Sequence, residues 1–200
     1  MKLFYSPTSP FARKVRVVMA ERQLGGIELV TVSPFDLPPQ LLAANPLSKV
    51  PALLLSDGSV LYDSPVICEY LDGLGLAPAL IPPAGPARWT VQRRHALADG
   101  LMDTTLSLAI EENRRPENER SPQWINRWGA TIRRTVDALE QECDWSGDPV
   151  DMGQIAIACA LAYLDLRAAA HVTWRAGAPQ LSEWFAAFAR RPSMQTTIPA

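Results

Sequence analysis

Apolar and polar positions follow two different rhythms along this chain, and the change between them divides it. Near the start, Lys2-Leu3-Phe4-Tyr5 is a short apolar run that reads as a strand, followed by a turn through Ser6-Pro7-Thr8. Phe11 to Leu24 carries Val15, Val18, Met19 and Arg22 at helical spacing, and Gly25-Gly26 after it predicts the helix stop. Ser9 fits the N-cap of that helix and Pro10 its first position: a serine hydroxyl accepts from a first-turn amide, and proline lacks an N–H that would have no partner there. Ile27 to Val32 alternates and is β-branched, so it predicts a second strand, parallel to the first because a helix connects them.

Ser33 to Pro46 holds Pro34, Pro38, Pro39 and Pro46 and reads as a loop with a turn or two of helix around Gln40 to Ala44. Val50 to Leu55 and Val60 to Tyr62 are apolar strands joined by a Gly-containing turn, Ser56 to Ser59, and so predict a hairpin. Ser64-Pro65 repeats the cap-plus-proline signal and opens a helix to about Leu74. The order, βαβ, loop, ββα, is that of a thioredoxin-like α/β fold over residues 1–76. The Pro-rich stretch 77–86 reads as a linker.

From residue 87 to 200 the pattern is helical throughout, which predicts an all-α bundle. Leu97, Leu101, Thr105 and Leu108 mark a face of a long helix from about Ala87 to Asn113. Ser121-Pro122 opens another whose face is Trp124, Trp128, Ile132, Val136 and Leu139. Asp151-Met152-Gly153-Gln154 has the form of a capping box in front of a helix apolar on nearly all sides, the expected centre of that domain. Leu181, Trp184, Phe185 and Phe188 predict a further amphipathic helix.

Composition narrows the class of function. A formal charge of −2 and no long Lys/Arg run argue against nucleic acid or an anionic membrane surface as partner. The longest apolar run, Ile155 to Leu164, is too short to span a bilayer. Cys68, Cys143 and Cys159 are far apart and odd in number, so neither a disulfide framework nor a metal pair is expected, and a reducing, cytoplasmic setting fits. The expected partner is a small molecule, with no metal.

Four separated pieces resemble the N-terminal domain of soluble, bacterial-type glutathione S-transferases: Ser9-Pro10-Phe11-Ala12 before Arg13-Lys14-Val15-Arg16, then Asn45-Pro46, then Lys49-Val50-Pro51-Ala52-Leu53, then Asp63-Ser64. The helical second half extends the likeness over essentially the whole chain. The resemblance implies glutathione as co-substrate, a homodimer, and a cis Val50–Pro51 bond that turns the Val50 main chain toward the tripeptide. It also raises Asp99 or Asp103 as an acid reaching a partner's bound glutathione, beside the reading of both as solvated helix charges.

Each end of glutathione then has a chemical match. Asp63 pairs with the γ-glutamyl ammonium, and Ser64, at a helix N-terminus, receives its carboxylate. Lys49 meets the glycine carboxylate or is a solvated strand-edge charge. The sulfur falls near Ser9, whose hydroxyl donates to the thiolate, with Thr8, Ser6 and Tyr5 as the other hydroxyls in reach. Because Ser9 stands where glutaredoxins carry a cysteine, mixed-disulfide chemistry is disfavoured. The expected activity is conjugation of the glutathione thiolate to an apolar electrophile bound between the domains, with Phe11 and Phe35 as walls. The alternatives are a glutathione-dependent isomerase or dehalogenase, and a non-catalytic interaction module.

Overall fold

The computed structural model describes residues 1–75, 78–145, 149–169 and 171–199. Its sheet has four strands: β1 (Lys2–Tyr5), β2 (Glu28–Thr31), β3 (Ala52–Leu54) and β4 (Val60–Leu61), in the order β2-β1-β3-β4. β1 and β2 run parallel, as the intervening helix requires, while β1 with β3 and β3 with β4 are antiparallel. Asp57 Oδ1 accepts from the amide and hydroxyl of Ser59, and Gly58 takes φ +87° in the hairpin turn, a conformation that disfavours any Cβ.

Strand alternation divides the sheet's two faces. Phe4 and its cross-strand partner Ala52 join Val32, Leu41, Ala44 and Val50 in one buried cluster, to which α2 (Pro39–Ala44) contributes. Leu3 and its partner Leu53 point the other way and are fully buried. Helices α1 (Pro10–Glu21) and α3 (Ser64–Leu74) pack against each other, and α3 touches β3.

Helix α1 ends earlier than Gly25-Gly26 suggests. Gln23 takes φ +54°, its amide donates to Ala20 O, and the Leu24 amide donates to Met19 O, a Schellman closure built on glutamine rather than glycine. Helix α3 also differs from expectation at its start: Asp63 is the N-cap and Ser64 the first helical residue, so Ser64 does not repeat the capping role of Ser9.

The remaining helices are α4 (Gly85–Asn113), α5 (Pro122–Glu142), α6 (Met152–Arg167), α7 (Pro179–Phe188) and α8 (Pro192–Gln195). Ser121 caps α5 through a bond from the Trp124 amide. The capping box of α6 is complete, with the Gln154 amide donating to Asp151 Oδ1 at 2.8 Å and the Asp151 amide to Gln154 Oε1 at 3.3 Å. Nearly every residue of α6 is buried, as its all-round apolar pattern predicts. On α5 the buried face runs through Ile132, Val136 and Leu139, whereas Trp124 is exposed and stacks on Trp128 with ring centroids 5.6 Å apart.

The chain forms two compact units, Met1–Gln92 together with Pro192–Ala200, and Arg93–Arg191. Of the linker expected over 77–86, Ala77 lies outside the described residues, as does Leu76 before it, and Gly85-Pro86 is already helical. The segment from Pro192, expected within the helical domain, belongs instead to the first unit, because α8 packs on α1. The first unit is a thioredoxin-like mixed sheet with its helices. The second is helical throughout its described residues.

Candidate functional site

Strand register brings the pieces of the site to one end of the sheet. Phe4 pairs with Ala52 in antiparallel order, so continuing the register sets Val50-Pro51 opposite the Tyr5-Ser6 end of β1. Leu61 pairs with Leu53, so Asp63 follows β4 out at that same end. The turn leading to Ser9, the peptide before β3 and the start of α3 are therefore neighbours, although Ser9 precedes the other two by some 40 or more residues in sequence.

Ser9 is the N-cap of α1, with φ −76° and ψ 120°, and its Oγ accepts from the Ala12 amide at 3.2 Å. The Ser9 amide donates back to Ser6 O at 3.0 Å, which closes the turn. Accepting from Ala12 uses a lone pair of the hydroxyl and leaves its proton for a second partner. The other hydroxyls differ in setting: the Arg16 guanidinium lies 5.1 Å from the centre of the Tyr5 ring, while Ser6 and Thr8 are half-buried turn residues.

The Val50–Pro51 peptide is cis, and so is Tyr62–Asp63. The Val50 side chain is in the core cluster, so this residue presents main chain, not side chain, to the sheet end. Asn45 organises the approach: its Oδ1 accepts from the Leu47 amide at 3.0 Å and its Nδ2 donates to Lys49 O at 2.8 Å. This buried side chain thereby fixes the backbone that carries Lys49, itself exposed. Asn45-Pro46 in front of Lys-Val-Pro is the signal that marks it, but only the fold shows what the amide holds.

Asp63 is exposed, and among the described residues its carboxylate makes no capping hydrogen bond to α3. Ser64 is buried at the first helical position, where amides have no partner within the helix and the helix dipole favours an anion. An exposed carboxylate beside such a helix start suits a zwitterion, an ammonium on one side and a carboxylate on the other.

Of the residues suggested as apolar walls, Phe11 is half-buried and Phe35 is exposed on a 3-10 turn, Pro34–Asp36. In the second unit, Asp99 Oδ2 lies 3.5 Å from His95 Nε2, and Asp103 is exposed. Among the described residues, no three His, Cys, Asp or Glu side chains are grouped to hold a metal ion, and no helix is long and apolar enough to cross a membrane.

The family model for the N-terminal domain of glutathione S-transferases matches residues 3–81, and that for the C-terminal domain matches residues 122–187. The chain is 34% identical along its full length to the uncharacterized GST-like protein YibF of Escherichia coli (strain K12), covering 98% of that protein. A crystal structure of a glutathione transferase family member from Pseudomonas fluorescens Pf-5, with bound glutathione, matches at a TM-score of 0.95 and 40% identity, over 100% of this chain and 98% of that one. A glutathione S-transferase from Methylobacillus flagellatus KT, also with glutathione bound, matches at 0.91 and 38%, over 100% and 99%. By sequence over both domains and by fold over its whole length, the chain belongs to the glutathione S-transferase family.

Proposed function

We propose that this glutathione transferase holds glutathione across the sheet end where α1, β3 and α3 begin, and that the Ser9 hydroxyl donates to the sulfur while the thiolate attacks an apolar electrophile. The carrying observation is the Ser9 cap itself, whose oxygen accepts from Ala12 and whose proton has no partner among the described residues. A free thiol titrates near 8.5, so a useful thiolate fraction at neutral pH needs a shift of about two pH units, about 2.7 kcal/mol. A helix N-terminus contributes about 0.3–1 kcal/mol, and a hydrogen bond to a charged acceptor about 1.5–3 kcal/mol. Together they are of the required size.

In this reading Asp63 receives the γ-glutamyl ammonium, Ser64 the adjoining carboxylate, the Val50 main chain the cysteine backbone, and Lys49 the glycine carboxylate. Both relatives solved with glutathione support the ligand. A homodimer belongs to this reading, with Leu47 and Trp89 of the first unit, 60% and 69% exposed, among the apolar side chains that it would cover. Conjugation in the cytoplasm and a detoxifying role go with that chemistry. The isomerase, dehalogenase and non-catalytic readings are not favoured over conjugation.

Steady-state kinetics with glutathione and an activated aryl halide test the roles. Ser9→Ala is expected to lower kcat about 10- to 100-fold with little change in the glutathione KM, because the lost bond is to the charged sulfur. Ser64→Ala is expected to raise KM and spare kcat. Equal losses of both parameters in both variants would sink the assignment.

A further inference from the structure

The segment beginning at Pro192 lies along the helix that starts at Ser9 and is gripped there at three points. Arg13 Nη2 donates to the Met194 carbonyl at 3.1 Å, and its Nε lies 3.5 Å from Thr197 Oγ1. Arg16 Nη2 donates to the Thr196 carbonyl at 3.3 Å, and Ser193 Oγ donates to Glu21 Oε1 at 2.5 Å. Thr197 Oγ1 is itself anchored, donating to Ser193 O at 2.8 Å. Positions 13 to 21 span about 12 Å at 1.5 Å rise per residue, so the grip runs from the second turn of α1 to its last residue. Ser193 and Met194 of α8, and Thr197 just after it, are buried.

Arg13 connects this grip to the reacting end. Its amide makes the first bond of the helix, to Ser9 O at 2.9 Å, so the residue gripped at one end by Met194 and Thr197 is bonded at its other end to the cap itself. It is only 6% exposed, so its guanidinium has little freedom. A hydroxyl that donates to a thiolate must be held to about half an ångström, and the groups that hold it lie behind it.

We propose that Arg13, clamped by Met194 O and Thr197 Oγ1, is a positioning residue for thiol activation, and that residues 192–197 act as a splint fixing the first turns of α1 under the glutathione sulfur. This rests on the reading of Ser9 as the sulfur's hydroxyl donor. The segment lies far from the Ser-Pro-Phe-Ala turn in sequence and grips, through Arg13 and Arg16, the helix which that turn opens.

The test uses the full-length protein with glutathione, comparing wild type, Ser9→Ala, Arg13→Met, Arg13→Lys and the milder Thr197→Val. Calorimetry gives the glutathione Kd, and the ultraviolet absorbance of the bound thiolate against pH gives its apparent pKa. Arg13→Met and Thr197→Val are expected to raise that pKa by about one pH unit, which well below the pKa is a tenfold loss of bound thiolate, while the Kd measured there, at about pH 5.5, changes less than about twofold. Arg13→Lys is expected to recover part of the shift. If Ser9→Ala raises the pKa but Arg13→Met and Thr197→Val lower only the melting temperature, the splint is merely structural and this inference is overturned alone. If Ser9→Ala leaves the pKa unmoved, or wild type does not bind glutathione, the reading of Ser9 is overturned and this inference with it.

Discussion

Arg22 Nε lies 3.1 Å from Asp72 Oδ1, with the two side chains 3% and 6% exposed. The pair joins the C-terminal ends of α1 and α3, the two helices whose N-termini carry Ser9 and Ser64. Arg22 also donates to the carbonyls of Asp72, Gly75 and Pro78, and the Asp72 carboxylate accepts from the Leu80 and Ile81 amides. One buried ion pair therefore closes both helices and pins the chain after α3.

Removing one partner of a buried pair strands the other charge, at a cost of about 3–5 kcal/mol. Asp72→Asn is expected to lose stability of that order in denaturant titration, and the double variant Arg22→Met with Asp72→Leu to recover part of it. Gly75→Ala should also destabilise, because a Cβ there would fall on the Arg22 side chain. A cost below about 1 kcal/mol for Asp72→Asn would mean that the pair behaves as a surface bridge.

The cysteines are expected to be inert in the folded protein. Burial, aided by the Glu140 and Asp144 carboxylates, pushes the Cys143 thiol up to about 11, which leaves a thiolate fraction of about one in ten thousand at neutral pH. Cys68 and Cys159 are fully buried. A colorimetric disulfide reagent should label none of the three quickly before denaturation and all three after it. Fast labelling of the native protein would contradict this and reopen thiol exchange chemistry.

Acid should weaken the second unit at the turn from α4 to α5. The Ser121 amide, and then the Arg115 side chain, hold Glu111 below its ordinary carboxyl value of 4.5. The folded state thus binds this proton less readily than the unfolded chain does. The stabilisation is complete above 4.5 and is lost as pH falls through the lower folded value. The melting-temperature gap between wild type and Glu111→Gln should be widest at neutral pH and close on the acid side. A gap independent of pH would refute the assignment.

Helix α7 borrows its cap from another helix. Ala178, at its N-cap, has no side-chain acceptor, and Glu140 of α5 accepts from the Gln180 and Leu181 amides at 3.1 and 2.7 Å. Glu140→Ala is expected to cost about 0.5–2 kcal/mol, the range for a lost N-cap. Hydrogen exchange should quicken first at those two amides. Exchange unchanged there, with a lower melting temperature, would point to a cause elsewhere.

Much of the fold is legible in the sequence because its signals are local. The period of Val15 and Val18 marks a helix, Ser9-Pro10 its start, and Asp151 with Gln154 a capping box that forms as read. At Ser64-Pro65 the composition points to a cap one residue late, because a cap is defined by backbone conformation, which Asp63 takes up. Trp124 matched the apolar stripe of α5 yet is exposed, since a stripe shows which side faces a core but not how far that core extends.

The site divides in the same way. The likeness of four short pieces to glutathione S-transferases brings in the tripeptide, and side-chain chemistry then matches Ser9 to its thiol, Asp63 to its ammonium, and Ser64 and Lys49 to its carboxylates. That Ser9, Val50 and Ser64 meet was decided by strand register, a set of pairings between segments too far apart for any local pattern to encode. In the sequence Arg22 is one position of the helical stripe with Val15, Val18 and Met19, and residues 192–197 fall within the helical domain. Only in three dimensions does the first meet Asp72 and the second return to Arg13, because buried charges take partners according to proximity in the fold.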